Sequence, residues 1–143
     1  MRTIALRFSE KFSPECGTIA AHQQLIDKIG HVWYGKLGAP ISDKVAEDIL
    51  QNEVPAILLI NSGKLDRHWA YITEISRETP PAEEIPAYYR ENHEKFKCWF
   101  KVIAFKDAPR GIMAQCYVAS SKKVLTEASK HSMSPYFIID YEE

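Results

Sequence analysis

Gly30-His31-Val32-Trp33-Tyr34-Gly35-Lys36-Leu37-Gly38 is the stretch on which the reading of this chain turns. Its central residues alternate as an extended segment does. Val32, Tyr34 and Lys36 share one face; His31, Trp33 and Leu37 share the other, with Gly35 between them. A glycine inside a strand marks a place where another backbone or a flat group comes close. Two readings stand for Trp33 and Tyr34. Either they are core residues, one on each face of a sheet, or they form the floor for a planar ring beside the Lys36 cation.

Working outward, Ile19, His22, Leu25, Ile26 and Ile29 recur at helical spacing before this strand, and Gly30 is placed to end that helix in a left-handed conformation. The helix opens either at Ser13-Pro14, as cap and first residue, or at Thr18, because Gly17 weakens the earlier start. After the strand, Gly38-Ala39-Pro40 turns the chain and Ser42 caps a second helix over residues 43–51. Ala56-Ile57-Leu58-Leu59-Ile60 is apolar at every position, which predicts a strand buried on both faces.

Alternating strands are expected over residues 2–8, 69–76 and 97–106, with shorter ones at 115–119 and 136–139. Residues 79–92 carry three prolines, Pro80, Pro81 and Pro86, followed by Tyr88-Tyr89, and read as a flap or lid. Ser120-Ser121 is expected to cap a helical turn running through Ser129. Regular strand–helix alternation is lost after Leu50, which excludes a doubly wound parallel fold. The expectation is an α+β domain covering residues 1–143, without repeats.

Net charge is −1, from 18 basic and 19 acidic residues, so no global field draws in a polyanion. Cys16, Cys98 and Cys116 are odd in number and far apart. They fit a reducing, cytoplasmic setting better than a disulfide framework, and they lack zinc-ligand spacing. No cofactor or metal is expected. The N-terminus reads as a strand rather than a leader, and no apolar run is long enough for a membrane partner.

Four features give a resemblance to the PUA-like superfamily, and within it to EVE, YTH and ASCH domains. The first is the N-terminal strand, helix and Trp-Tyr-Gly stretch. The second is Pro55 to Gly63, a strand ending in a small polar turn, with its return strand from Trp69. The third is Ile85-Pro86-Ala87-Tyr88-Tyr89 leading into Lys97-Cys98-Trp99-Phe100. The fourth is Ser120-Ser121 with Ser132-Met133-Ser134-Pro135-Tyr136-Phe137. The lysine-serine-glutamate-proline signature of EVE domains is missing.

The resemblance implies a curled mixed sheet or small pseudo-barrel of about five to six strands with two to three flanking helices. It also implies a pocket for a single base, modified or not, swung out of DNA or RNA. Trp33, Tyr34 and Trp69 are the expected walls, with Tyr71 and Trp99 in support; Trp99 reads more as core. Lys36, Asn61, Ser62, Ser120, Ser121, Met133 and Ser134 are the expected groups around the base. Lys64, Arg67, Lys122 and Lys123 are expected at flanking phosphates.

Two residue groups are weighed toward structure. His22, on the apolar helix face, is expected buried and hydrogen-bonded. Leu65-Asp66-Arg67-His68-Trp69 reads as a solvated hairpin tip. The leading function is non-catalytic binding. The alternative is an ASCH-like, metal-independent ribonuclease using Tyr34, Lys36, Ser62 and Lys64, where a lysine stabilises the phosphate and a tyrosine moves a proton. A third class is an interaction domain with a sealed aromatic core.

Overall fold

The computed structural model describes residues 1–10, 14–61 and 64–142, with Asn92 described by its backbone only. Ser13, a candidate helix cap, and Ser62, a candidate base contact, lie outside the described residues.

Strands β1 (Arg2–Phe8), β2 (Val32–Leu37), β3 (Ala56–Asn61), β4 (Arg67–Ser76), β5 (Phe96–Asp107), β6 (Cys116–Val118) and β7 (Tyr136–Tyr141) form one sheet. Helices α1 (Thr18–Ile29), α2 (Asp43–Leu50) and α3 (Leu125–His131) flank it. The strand order is β2-β5-β4-β3-β1-β7-β6. The sheet therefore takes in one strand more than the five to six expected. β6, only three residues long, qualifies because β7 pairs with it on the side away from β1.

β1 and β3 run parallel, with Ala5 opposite Leu58 and Phe8 opposite Asn61. A parallel pair needs a long crossover, and α1, β2 and α2 supply it. The remaining neighbours are antiparallel.

β3 explains the layering. Ile57 and Leu59 enter one apolar cluster with Ile4, Leu6, Val32, Tyr34, Phe100 and Val102, against which Ile19, Leu25 and Ile26 of α1 and Val45 of α2 pack. Leu58 and Ile60 enter a second cluster on the opposite face, with Trp69, Ile112, Met113, Leu125 and Phe137. Period-two alternation thus feeds two cores from one apolar strand. The sheet curls without closing. Lys36 Nζ of β2 lies 4.8 Å from the ring centroid of Tyr136 at the start of β7.

Helix α1 begins at Thr18 and ends at Gly30, whose φ of 91° is the left-handed value expected of it. Ser42 caps α2, its hydroxyl accepting from the Val45 N–H. α3 starts later than the serines suggested. Ser120 and Ser121 lie in the turn before it, its cap is Val124, and no side chain bonds to its first turn. Lys122 holds φ 62° in that turn, which ends the helical run the serines would have opened.

A third apolar cluster occupies the β2–β5 end of the outer face. Trp33 and Trp99 meet Ile85 and Tyr89 there, with Tyr88 and Phe96 alongside. The covering chain consists of short 3-10 turns at Ala82–Glu84 and Ala87–Lys95. His31 and the Trp33 indole hold Glu84 by hydrogen bonds, and the His31 bond does most to keep its carboxyl below the usual range. The flat group that comes close at Gly35 is the protein's own. A Cβ built there would sit 2.7 Å from Phe96 Cδ1 and 3.1 Å from Trp99 Cζ3.

Replacing Gly35 with alanine is therefore expected to destabilise the fold by roughly 1–3 kcal/mol through overpacking. A thermal melt should record a fall of about 3–10 °C. An unchanged melting temperature would mean that the Phe96 ring moves aside freely.

Candidate nucleic-acid interface

The parallel pair β1–β3 ends at Phe8 and Asn61, and both residues line an open groove of about 930 Å³. One wall is the chain after β1 and the first turns of α1: Glu10, Pro14, Glu15, Cys16, Gly17, Thr18 and Ile19 among them. The other wall is Asn61, Asp66 and His68 from the β3–β4 hairpin, with Phe105 and Asp107 of β5. Among the described residues three rings line it: His68 and Phe105, both half-buried, and the edge of Phe8, which is otherwise packed in the first cluster. Phe8 and His68 lie with centroids 6.4 Å apart, tilted by 47°.

The polar groups of the groove are tied together. Glu10 Oε2 accepts from the Thr18 N–H at 3.0 Å and faces its hydroxyl at 3.4 Å, satisfying a free donor of the α1 N-terminus. Asn61 donates to Asp66 Oδ2 at 3.3 Å. His68 Nδ1 lies 3.1 Å from Asp107 Oδ1. Among the described residues the groove is lined by four carboxylates, those of Glu10, Glu15, Asp66 and Asp107, and by no lysine or arginine.

The expected site residues separate into three places. Asn61 lines the groove. Trp33, Tyr34, Lys36 and Trp69 are enclosed instead. Trp33 is in the third cluster, Tyr34 in the first, and Trp69 in the second, where its ring meets Tyr141 at 5.1 Å. Lys36 is 4% exposed and donates to the Leu37 and Ala39 carbonyls; burial lowers its pKa.

The remaining candidates stand elsewhere on the surface. Ser120, Ser121, Lys122 and Lys123 form the exposed turn after β6. Met133 is 95% exposed. The Ser134 hydroxyl accepts from Ser132, while Arg7 donates to the Ser132 and Ser134 carbonyls. Lys64 is exposed beside Asn61, its N–H donating to the Asn61 carbonyl. Arg67 is turned onto the Lys64 and Asp66 carbonyls and Met113.

The 65–69 run is thus more than a solvated tip. Asp66 and His68 face the groove while Arg67 and Trp69 leave it, because residues two apart on a strand share a face. Phe8 was legible as the last residue of the first strand, yet nothing local marked it as anything but core. Pairing with β3 is what brings it beside Asn61 and His68.

Behind the groove sits His22, fully buried as expected. Nδ1 lies 2.8 Å from the Thr18 carbonyl, an atom that can only accept, so Nδ1 carries the proton and Nε2 is a bare acceptor. The rings of Tyr34, Tyr88, Tyr89 and Phe105 surround it at 4.8 to 6.3 Å. This desolvation pushes its pKa down to about 4. Burial likewise raises the hydroxyl pKa values of Tyr34 and Tyr89.

The open, curled α+β sheet with three flanking helices is that of a PUA-like fold, which is of the nucleic-acid-binding type. A family model described as Pua-like matches residues 4–143, and the chain belongs to this family. No match was found among curated proteins or among solved structures. Among the described residues no helix is long and apolar enough to cross a membrane.

The His22 environment fixes a pH dependence. The unfolded chain takes up this proton near pH 6.5 and the folded chain only near pH 4. Stability from His22 is therefore complete above pH 6.5, falls as pH drops through that window, and levels off below it. The whole span corresponds to about 3 kcal/mol, with roughly 2 kcal/mol lost by pH 5. Urea midpoints at neutral and mildly acidic pH should show this fall, and His22→Leu should flatten it.

Proposed function

We propose that the protein binds single-stranded nucleic acid, RNA before DNA, with the strand in the groove. One base, modified or not, is turned out of the strand and held against protein rings, in the manner of the EVE and YTH domains the chain resembles. The observation that carries this reading is the groove, which combines the rings of Phe8, His68 and Phe105 with the Asn61 amide and carboxylates. Rings offer a stacking surface on the order of 1–3 kcal/mol per base. Carboxylates accept from exocyclic amines, as at cytosine N4. Lys64 at the rim supplies a phosphate contact.

With no lysine or arginine among the described residues that line the groove, affinity comes from stacking and base-edge bonds, and salt weakens it little. A ribonuclease reading has one observation behind it: the His68–Asp107 pair, an imidazole 3.1 Å from a carboxylate at the groove, the two group types that general acid–base chemistry uses most. The Tyr34–Lys36 set does not serve that chemistry, since both side chains are enclosed.

Titration of labelled single-stranded RNA and DNA in the presence of a chelator tests the proposal. Binding is expected with a shallow salt slope, about −1 to −2 on the logarithmic scale, from one to three phosphate contacts. His68→Ala should cost roughly tenfold in affinity with little change in melting temperature. RNA that stays intact removes the ribonuclease reading. No binding of either polymer at low salt would overturn the proposal itself.

A further inference from the structure

Among the described residues two buried side-chain polar atoms have no hydrogen-bond partner, His22 Nε2 and Trp99 Nε1. Both belong to rings that touch the same side chain, Tyr89. Its ring centroid is 5.2 Å from that of His22 and 5.9 Å from that of Trp99, edge-on to each. Phe96 lies at 4.5 Å and Tyr88 at 4.7 Å. The rest of this layer is satisfied. The Trp33 indole is bonded to Glu84, and the Tyr89 hydroxyl to the Gly35 backbone and Tyr88. An unpaired buried donor and an unpaired buried acceptor each cost stability, and native structures rarely keep them without a use.

The segment holding Tyr89 is not part of the sheet it covers. It contributes no strand to the sheet and is built of 3-10 turns that wrap the outer edge of β2. Two contacts connect the layer around Tyr89 with the groove lining. Thr18 and Phe105 line the groove, while Phe105 meets the His22 ring and Thr18 is hydrogen-bonded to Tyr88.

We propose that Tyr89 is an internal stand-in for a base: it occupies a slot walled by Phe96, Trp99 and His22, from which it withdraws when a planar ring carrying one acceptor and one donor enters from the groove. The acceptor on that ring takes the Trp99 Nε1–H, and the donor gives to His22 Nε2. A phenol ring can meet neither need from where Tyr89 sits, because its single hydroxyl is engaged at Gly35 and Tyr88. Nucleobases have this donor–acceptor edge chemistry. The inference rests on the nucleic-acid-binding reading and adds to it a second base position, deeper than the groove rings, and the residue that gates it.

Two variants test it. Tyr89→Ala empties the slot, and the probes are free adenine, cytosine and uracil, with p-cresol as a tyrosine-shaped control. Melting temperature should rise with p-cresol and with at least one base. A rise with p-cresol alone would overturn the proposal, since the slot would then be only a tyrosine-shaped piece of core.

Tyr89→Phe keeps the ring and drops the hydroxyl that latches it, which covers the case in which the alanine variant does not fold. Freeing the latch should raise RNA affinity roughly three- to tenfold by enlarging the open fraction. A merely structural residue would leave affinity unchanged or lower it, and either result overturns the gate. If wild type and Tyr89→Phe both fail to bind RNA, the nucleic-acid reading falls, and the free-base measurement still decides the slot. RNA binding that is indifferent to Tyr89→Phe, with no base entering Tyr89→Ala, removes the slot alone.

Discussion

The structure depends on one constraint: β3 is apolar from Ala56 to Ile60 and must be covered on both faces. Burial of an aliphatic side chain is worth about 1.5–3 kcal/mol, so neither face of Ala56–Asn61 can be left to water. Its odd and even residues feed two separate cores. The crossover through α1, β2 and α2 covers one, and α3 with the turn at Ile112–Gln115 covers the other. The parallel β1–β3 pair is the outcome of that crossover, and the groove is the outcome of where that pair ends.

The second constraint is the free edge of β2. An unpaired strand edge invites further pairing unless something blunts it. Here the block is aromatic. Tyr89 is bonded to the Gly35 backbone, and Phe96 closes over the glycine that has no Cβ to oppose it. The same cover leaves His22 and Trp99 each one hydrogen bond short. Protection of the edge and incomplete satisfaction of the core are thus two results of one packing choice, and the proposed gate exploits both.

The charge of the groove shapes what recognition can be. A site that grips phosphates needs cations, and the described lining offers carboxylates, an amide and rings instead. On the proposed reading, such a surface would select by fit and by base edge rather than by long-range attraction. That matches a chain whose overall charge is close to zero.

The sequence by itself determined the elements and most of what is buried. The run at residues 56–60, the helical spacing from Ile19 to Ile29, the left-handed Gly30 and the buried His22 all follow from local periodicity, because a side chain's face is set by its place in the repeat. Only the tertiary structure decided which of the aromatic residues line the groove and which are enclosed. Trp33, Trp69 and Tyr34 look like pocket walls in one dimension, but segment 82–95, Tyr141 and α1 respectively enclose them. Phe8, His68 and Phe105 come from three strands far apart in the chain and meet through sheet order and curl alone. Periodicity says which side of its own element a residue faces. It carries no information about what is packed against that side, and a binding site is defined by where that packing stops.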